Sequence, residues 1–364
     1  MQINYSGKKS TEEILKKSEQ CKCRIEKPSP SFVLFGDNFD GLSLLLNLGF
    51  EGKVDLVYID PPFNTSQCFF IDDQRKSTVS MSKSNKIAYS DKFSFEGYLE
   101  FIRERAVLIH KLLSERGSLY FHIDTKMGHY CKIILDEIFG KENFKNDITR
   151  IKSNPKNFSR TAYGNEKDVI LFYAKKSSCN IWNNITQSLT EEELARLYKK
   201  KDDRGFYTTI PLHAPGETKD GPTGKMWRGM YPPKGRHWRT NPTEFDELDR
   251  QGMIEWSSTG NPRIKKYASN HKGKIIQDVW RFKDPQYPDY PTQKNEELLK
   301  RIILQSSAPE SIVLDCFAGG GTTLVAAEKL GRKWIGIDNS RESINAIKQR
   351  LPEVLFNVYE IEAK

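Results

Sequence analysis

The residues best suited to chemistry form the tetrapeptide Asp60-Pro61-Pro62-Phe63. The apolar stretch 56–59 predicts a buried strand, and the prolines end it because they fix φ and lack an N–H donor. The turn then presents one carboxylate, backbone carbonyls and one flat ring. Such a set can accept hydrogen bonds from an amino group on a planar heterocycle and stack on its face. An ordinary strand-ending turn would contain the same prolines.

A second segment, Asp315-Cys316-Phe317-Ala318-Gly319-Gly320-Gly321-Thr322, reads as strand, glycine loop and helix. Glycines let the backbone turn tightly and let a ligand approach without interference from Cβ atoms. In open α/β sheets, ligands bind at such loops beyond the carboxyl ends of strands. The loop lacks the third glycine of the dinucleotide fingerprint, so a pyrophosphate is not required.

The next predicted strand ends in Asp338, nineteen residues after Gly319. A carboxylate at about 20 residues from a glycine loop is where a ribose diol is held. A ribose without a pyrophosphate indicates a nucleoside that carries some other group. The plainer alternative is a generic strand–helix–strand turn with an exposed acid.

The elements that must position these motifs alternate between strands and helices. The pattern predicts strands at 32–35, 54–59, 117–123, 168–174, 311–315 and 333–338, and helices at 41–48, 95–114, 128–139, 294–305, 321–330 and 341–350. Alternation of this kind predicts an α/β fold with a mostly parallel, doubly wound sheet. Residues 64–94 are predicted to form a long polar loop, and residues 176–275 interrupt the rhythm.

Charge and composition narrow the class of protein. The chain has 364 residues and a net charge of +9, and the segment 199–275 alone has 16 lysines and arginines against 9 acids. A concentrated basic surface favours a polyanionic partner, most simply nucleic acid, although a solvated basic face is also common. No apolar run is long enough to span a bilayer, and the start has no signal-peptide pattern. The six scattered cysteines predict free thiols in a reducing cytoplasm.

Together these motifs resemble the beta class of amino-methylating DNA methyltransferases that use S-adenosyl-L-methionine. Asp60 to Phe63 resembles the catalytic motif of that family, and Phe317, Gly319, Gly321 and Thr322 match its Phe-x-Gly-x-Gly-Thr cofactor motif. The catalytic motif comes first, with the basic segment between the two, which is the circularly permuted order of the beta class. The family usually has Tyr where Phe63 stands, so a mechanism that needs that hydroxyl is excluded.

The resemblance implies a methyltransferase (Rossmann-like) sheet and a role for each half. It divides the chain into an N-terminal extension without a core at 1–30, a catalytic half at 31–175, a target-recognition insertion at 176–275 and a cofactor-binding half at 276–364. Catalytic residues are expected at Asp60, Pro61, Pro62 and Phe63. Cofactor contacts are expected from Asp37, Thr292, Gln293, Lys294, Asp315, Phe317, Gly319, Gly321, Thr322 and Asp338. Asp37 is expected at the adenine end and Thr292 to Lys294 near the methionine carboxylate, where Thr292 could equally be a helix cap.

The insertion is expected to contact double-stranded DNA through Arg228, Lys234, Arg236, Arg239, Arg263, Lys265 and Lys266. Its tryptophans Trp227, Trp238 and Trp256 are interpreted as a small core rather than as base contacts. No metal is expected. Asp60 in place of Ser favours adenine N6 over cytosine N4, and the N4 enzyme stays open as the alternative, with an RNA methyltransferase a weaker one. The resemblance leaves open a homodimer and a partner restriction endonuclease.

Overall fold

The computed structural model describes residues 2–20, 25, 28–62, 68–71, 86–90, 93–153, 161, 163–218, 220–286, 288, 290 and 293–361. At 68–71 and 86–90 only the backbone is described. The chain forms two compact units, Met1–Ile185 together with Gln277–Lys364, and Thr186–Ile276. None of the helices within these described ranges combines the length and the apolar character needed to cross a membrane.

The helices, in chain order, are α1 (Thr11–Ser18), α2 (Asn38–Asn47), α3 (Phe95–Leu112), α4 (Thr125–Phe139), α5 (Glu191–Leu197), α6 (Pro242–Arg250), α7 (Glu296–Ser306), α8 (Thr322–Lys329) and α9 (Arg341–Arg350). The strands are β1 (Phe32–Phe35), β2 (Val54–Ile59), β3 (Cys68–Ile71), β4 (Lys86–Ser90), β5 (Leu113–Ile123), β6 (Phe144–Ile151), β7 (Lys167–Ala174), β8 (Thr186–Gln187), β9 (Lys200–Asp202), β10 (Gly205–Pro211), β11 (His213–Pro215), β12 (Arg236–Trp238), β13 (Ile254–Trp256), β14 (Pro262–Tyr267), β15 (Lys274–Ile275), β16 (Val279–Arg281), β17 (Ile312–Asp315), β18 (Lys333–Asp338) and β19 (Asn357–Glu360).

The first unit is built around a sheet with the strand order β16-β6-β7-β5-β2-β17-β18-β1-β19. Strand β7 runs antiparallel to both of its neighbours, and the other pairings are parallel. Strands β2 and β17 are far apart in the chain but adjacent in the sheet, with Leu314 opposite Val57. Their carboxyl ends therefore lie at the same edge. The predicted mostly parallel α/β sheet is confirmed.

Alternate residues of the strands face different layers of helices. On β2, Val57 and Ile59 belong to a core shared with α1 to α4, whereas Leu56 and Tyr58 are buried outside that core. Helices α7 and α8 contact each other, and between them they contact β2, β5, β17 and β18. Burial on both faces explains why these strands read as continuous apolar runs. The same alternation places Asp60 on the face of Tyr58.

The N-terminal segment packs on the first unit, which nothing in its sequence indicated. Helix α1 begins with a capping box between Ser10 and Glu13. Its Ile14 is fully buried in the main core. Lys9 and Lys17 form ion pairs with Glu104 of α3 at 2.6 and 3.2 Å. The short amphipathic pattern of this segment did not indicate that one residue is deeply buried or that charged residues form ion pairs with α3.

Several element bounds also differ from the predicted ones. Helix α4 begins at Thr125 because the Asp124 carboxylate accepts the N–H groups of Lys126 and Met127. Strands β3 and β4 pair in the segment that was predicted to be loop throughout. Strand β6 was missed because polar residues 145–147 break its apolar pattern.

The second unit holds a sheet with the order β13-β14-β10-β9. Its small core comprises Leu212, Trp227, Trp238, Phe245 and Ile254. Trp227 and Trp238 are buried, as the core interpretation holds, but Trp256 is 43% exposed and stacks on Trp227 with ring centroids 5.8 Å apart. The unit begins ten residues later than the predicted boundary, because residues 176–185 bond to the first unit, for example through Ile181 N–H to the Arg116 carbonyl at 3.0 Å.

Candidate active site

Asp60 follows the last residue of β2, at the edge where β17 also ends. The register Leu314 opposite Val57 brings the two strand tips together. Asp315 lies close enough that, after burial, the charges of Asp60 and Asp338 help to raise the pKa of Asp315, which reaches about 7. The carboxylate after β2 and the glycine loop after β17 therefore share one end of the sheet.

The two oxygens of the Asp60 carboxylate have different surroundings. Oδ2 forms an ion pair with the ammonium of Lys294. Oδ1 is buried and accepts no hydrogen bond from any described residue, and His122 Nδ1 lies 3.8 Å from it. A buried carboxylate oxygen without a donor is costly in a folded protein. Oδ1 is therefore the atom of this site that an incoming amino group would best satisfy.

The proline turn is fixed by a neighbouring helix. The hydroxyl of Tyr98, on α3, donates a 2.7 Å hydrogen bond to the carbonyl of Pro62. That carbonyl is therefore engaged, and Pro61 keeps its predicted part as the second acceptor. Phe63 lies outside the described residues, so its stacking role stays a prediction.

The glycine loop adopts the left-handed conformation that its composition predicts. Gly319 has φ of 50° and Gly321 of 71°, values that side chains other than glycine seldom accept. Helix α9 holds the loop carbonyls, because Ser343 Oγ donates to the Gly319 carbonyl at 2.6 Å and Arg350 donates to that of Gly320 at 2.6 Å. Sequence reasoning missed both residues, since neither belongs to a motif.

Asp338 ends β18 beside this loop. Its Oδ2 accepts the Gly319 N–H at 2.7 Å and its Oδ1 accepts the Ser340 N–H at 2.9 Å. Burial raises the pKa of this carboxyl. These bonds fix the glycine loop, and the ribose contact of Asp338 stays a prediction.

The remaining residues of the cofactor motif mostly form contacts that hold the glycine loop in place. Asp315 accepts the Phe317 N–H at 2.9 Å and the Thr323 hydroxyl at 2.5 Å. The Phe317 ring contacts Phe101 edge to face, and the Thr322 hydroxyl accepts from Arg350 at 2.9 Å. Their part in cofactor binding stays a prediction, since these bonds hold the loop together.

Residues before α7 cover the glycine loop on another side. The ring of Tyr290 lies over Gly320, where a Cβ atom would come within 2.8 Å of the Tyr290 Cβ. The Gln293 N–H bonds to the Tyr290 carbonyl at 3.1 Å. Thr292 lies outside the described residues. Lys294 was predicted near the methionine carboxylate, but its ammonium contacts Asp60.

Asp37 caps α2 near the same edge. Its Oδ1 accepts the Phe39 N–H at 2.7 Å, and its Oδ2 lies 3.2 Å from Arg105. The neighbouring Asn38 donates to the Cys316 carbonyl at 3.0 Å, which ties this turn to the glycine loop. The Asp37 side chain is 50% exposed, so a face of its carboxylate is open to a ligand.

A row of buried polar side chains continues from Asp60 across the sheet, and sequence reasoning missed it. His122 of β5 has no exposed surface; its Nδ1 lies 2.7 Å from the Tyr58 hydroxyl and its Nε2 lies 3.0 Å from Asp168 Oδ1. Asp168 Oδ2 in turn lies 3.4 Å from Arg150. The available signal was a histidine and an acid inside otherwise apolar strands.

The predicted DNA contacts of the second unit fall into two groups. Four are already bonded within the unit: Arg228 to Asp246 and Asp249 at 3.1 and 2.6 Å, Arg263 to the Thr209 carbonyl at 2.8 Å, Lys265 to Asp202 at 2.8 Å, and Arg239 to the Pro211 carbonyl at 2.9 Å. Lys234, Arg236 and Lys266 are exposed, and Arg236 lies 3.3 Å from a ring nitrogen of His213. Arg228 and Arg239 are exposed as well, but their present bonds would compete with phosphates, so Lys234, Arg236 and Lys266 are better placed to meet them.

Comparison with known proteins assigns the class. Residues 54–349 match the model of the N6/N4 methyltransferase family, described as DNA methylase. The chain is 39% identical over 362 residues to the type II methyltransferase M.EcaI of Enterobacter cloacae, covering 96% of this chain and 77% of that protein. It is 25% identical to the StyLTI Mod subunit, a type III restriction-modification enzyme of Salmonella typhimurium. That match covers 90% of this chain but only 54% of the subunit.

Among solved structures, the PvuII DNA methyltransferase (cytosine-N4-specific) superposes with a TM-score of 0.51 at 11% identity, over 92% of this chain and 99% of that one. This likeness concerns the fold. The family match covers most of the chain, so the protein belongs to the N6/N4 DNA methylase family. The predictions of a DNA methyltransferase and of S-adenosyl-L-methionine as its cofactor are confirmed.

Proposed function

We propose that this protein transfers a methyl group from S-adenosyl-L-methionine to the N6 amino group of adenine at specific sites in DNA. The observation that carries the proposal is the shared edge: Asp60, with a buried oxygen that lacks a donor among the described residues, lies at the end of the sheet that also holds Asp338 and the glycine loop. An acceptor for an amino group and a candidate ribose-binding carboxylate thus occur together.

The cofactor fits the residues that are present. Gly319 and Gly321, both with positive φ angles, form the tight loop, and the Asp338 carboxylate beside it is the candidate partner for the ribose hydroxyls. When bound, S-adenosyl-L-methionine supplies an electrophilic methyl group on a sulfonium sulfur. Asp37 is the candidate for the adenine end of the cofactor.

The protein's part in the chemistry is to orient the amino nitrogen. Asp60 Oδ1 and the Pro61 carbonyl accept the two amino hydrogens, which withdraws the nitrogen lone pair from the ring and directs it at the methyl carbon. Because nitrogen attacks before it loses a proton, no strong base is needed. Asp60 stabilises the positive charge that develops on nitrogen and receives the proton that the methylated amine then releases.

The target base must leave the duplex to reach Asp60, because a large methyl donor cannot approach an amino group inside the base stack. Base flipping costs a few kcal/mol, which stacking and edge hydrogen bonds offset. Phe63 is the proposed stacking partner, and such a contact is worth about 1–3 kcal/mol. The exposed cations Lys234, Arg236 and Lys266 of the second unit would bind phosphates of the duplex.

One experiment tests target and site together. DNA exposed to the purified protein and S-adenosyl-L-methionine is sequenced with detection of methylated bases, and N6-methyladenine at one short recurrent sequence is the expected result. N4-methylcytosine would transfer the proposal to the alternative base. Methylation of RNA alone, or of nothing, would refute it.

The biological setting is proposed from the relatives. Names such as type III restriction-modification enzyme belong to relatives that are longer than this chain. By analogy we infer that this protein acts on cytoplasmic double-stranded DNA and protects the sites of a partner restriction endonuclease. A homodimer remains part of the same proposal, and size-exclusion chromatography with light scattering tests it.

A further inference from the structure

Asp60 belongs to a closed series of neighbouring acidic and basic side chains. Asp60 forms an ion pair with Lys294, and Lys294 also interacts with the charge of Asp284. Asp284 forms a short ion pair with Arg150, Arg150 lies 3.4 Å from Asp168, Asp168 lies 3.0 Å from His122, and His122 returns to within 3.8 Å of Asp60. We call these six residues the charge ring.

The ring follows from the register of the sheet. Ile59 lies opposite Phe121, so the next residues, Asp60 and His122, are neighbours on the same face. Arg150 lies opposite Asp168 on β6 and β7. Adjacent strands thus present an acid, a histidine, an acid and a cation in a row. Asp284 and Lys294, which lie between β16 and α7, close the row from outside the sheet.

Two members of the ring have their pKa values shifted toward the charged form by neighbours within the ring. Burial acts to lower the pKa of Lys294, but Asp60 and Asp284 outweigh it and the net pKa is raised. Burial acts to raise the pKa of Asp168, but His122 and Arg150 outweigh it and lower that pKa well below its usual range. A buried charge persists in a folded protein only with such partners.

We propose that Lys294 is a positioning residue for Asp60: its ammonium pairs with Oδ2 and fixes the orientation of the carboxylate, so that Oδ1 is left to face the amino group of the target base. This inference rests on the proposed function. It differs from the sequence expectation, in which Lys294 contacts the methionine carboxylate. The two roles predict opposite outcomes when the charge is removed.

The titratable groups around Asp60 come from several elements. Lys294 approaches from before α7, His122 from β5, Tyr58 from β2 and Asp315 from β17. Among these, Lys294 is the group that contacts a carboxylate oxygen directly. An opposite charge at such a distance typically changes proton affinity by about 1–3 pH units. Loss of the ammonium should therefore move the acid limb of the transfer rate to higher pH.

The test compares Lys294→Gln, Lys294→Arg and the control Lys300→Gln, which removes a cation from the outer surface of α7. Three quantities are measured on the full chain: the Kd of S-adenosyl-L-methionine by calorimetry, the binding of DNA that contains 2-aminopurine at the target, and the single-turnover transfer rate from pH 5.5 to 9. Thermal unfolding shows which variants are folded.

If Lys294 positions Asp60, Lys294→Gln binds the cofactor within about threefold of the wild type, and the acid limb of its rate profile moves up by about 1–3 pH units. In Lys294→Arg the acid limb returns to its wild-type pH, and in Lys300→Gln the acid limb does not move. If instead Lys294→Gln weakens cofactor binding tenfold or more and leaves the limb unmoved, the proposal is wrong and Lys294 is a cofactor ligand.

If Lys294→Gln does not fold, Lys294→Met, which keeps the length of the side chain, takes its place. Should neither neutral variant fold, Lys294→Arg decides: a wild-type pH profile together with unchanged cofactor affinity supports a requirement for charge at Asp60, and a tenfold loss of cofactor affinity overturns it. An absence of methyl transfer by the wild type, with normal cofactor binding, would count against the proposed function and leave the binding comparison intact.

Discussion

The hydroxyl of Tyr98 donates a hydrogen bond of 2.7 Å to the carbonyl of Pro62. Tyr98 is fully buried in α3, so a rigid helix holds the turn that carries Asp60. The prolines alone restrict φ, but they leave ψ and the direction of the carbonyls free. The hydrogen bond from Tyr98 fixes the direction of the Pro62 carbonyl, which the prolines alone leave free.

Tyr98→Phe removes that constraint with little change in volume. We expect the free energy of unfolding to fall by about 1 kcal/mol, the usual net value of such a bond. The single-turnover transfer rate should also fall, because the turn loses its fixed orientation, while cofactor affinity is retained. Tyr173→Phe is the matched control, since it loses a 2.7 Å bond to Asp136. Equal transfer rates in the two variants would contradict the prediction.

Asp60→Asn tests the central carboxylate with a side chain of the same shape. Loss of the charge that stabilises the developing cation should reduce the transfer rate about 10²–10³-fold, while DNA binding measured by fluorescence anisotropy stays near wild type. Glu51→Gln, an exposed acid at the other end of β2, is the control. Full activity of Asp60→Asn would remove Asp60 from the mechanism.

Asp338→Asn tests the ribose contact. Hydrogen bonds to a charged group contribute about 1.5–3 kcal/mol, so we expect the Kd of S-adenosyl-L-methionine to rise about 10–150-fold in calorimetry. Glu342→Gln, on α9 nearby, should leave the Kd unchanged. An unchanged Kd for Asp338→Asn would restrict Asp338 to fixing the glycine loop.

Asp315→Asn should change how stability depends on pH. The pKa of Asp315 is raised from 3.8 to about 7 by burial, so the folded state binds a proton more tightly than the unfolded state. This contribution to stability is complete below pH 4 and is lost as pH rises through 7, which amounts to about 4 kcal/mol. Asp315→Asn lacks this loss. The unfolding free energies of Asp315→Asn and wild type are measured in urea at pH 5 and pH 8. The value for Asp315→Asn relative to wild type should be higher at pH 8 than at pH 5. An equal difference at both pH values would contradict the raised pKa of Asp315.

The second unit offers a paired test of DNA contact. Lys266 and Arg228 are both exposed, but Arg228 is bonded to Asp246 and Asp249. We expect Lys266→Gln to weaken DNA binding and to reduce the slope of log K against log salt by about 1, the effect of one lost phosphate contact. Arg228→Gln should leave the slope unchanged. The reverse pattern would show that Arg228 leaves its acids to meet DNA.

The local motifs could be read from the sequence because each has a geometry that its residues impose. Gly319 and Gly321 predict positive φ, and Asp60 before two prolines predicts a strand end. The support of the site could not be read in this way. His122, Asp168 and Lys294 meet Asp60 or each other only through sheet register and chain crossovers, which no short pattern encodes.

The charged residues of the second unit show a similar limit. Composition correctly identifies a basic segment, but it does not distinguish Lys265, which is paired with Asp202, from the adjacent Lys266, which is exposed. The alternation of the β14 strand separates the two. Charge counted along the chain therefore overstates the charge that a partner meets.

The adjacency of β2 and β17 constrains how the chain can mature during synthesis. The ribosome releases Asp60 early, but β2 acquires its β17 neighbour only after residues 312–315 have emerged. Until then the segment 60–62 lacks the neighbouring strand β17. A translation product interrupted before β17 would keep the proposed catalytic tetrapeptide but lack the glycine loop and Asp338, so we expect an unfinished chain to transfer no methyl group.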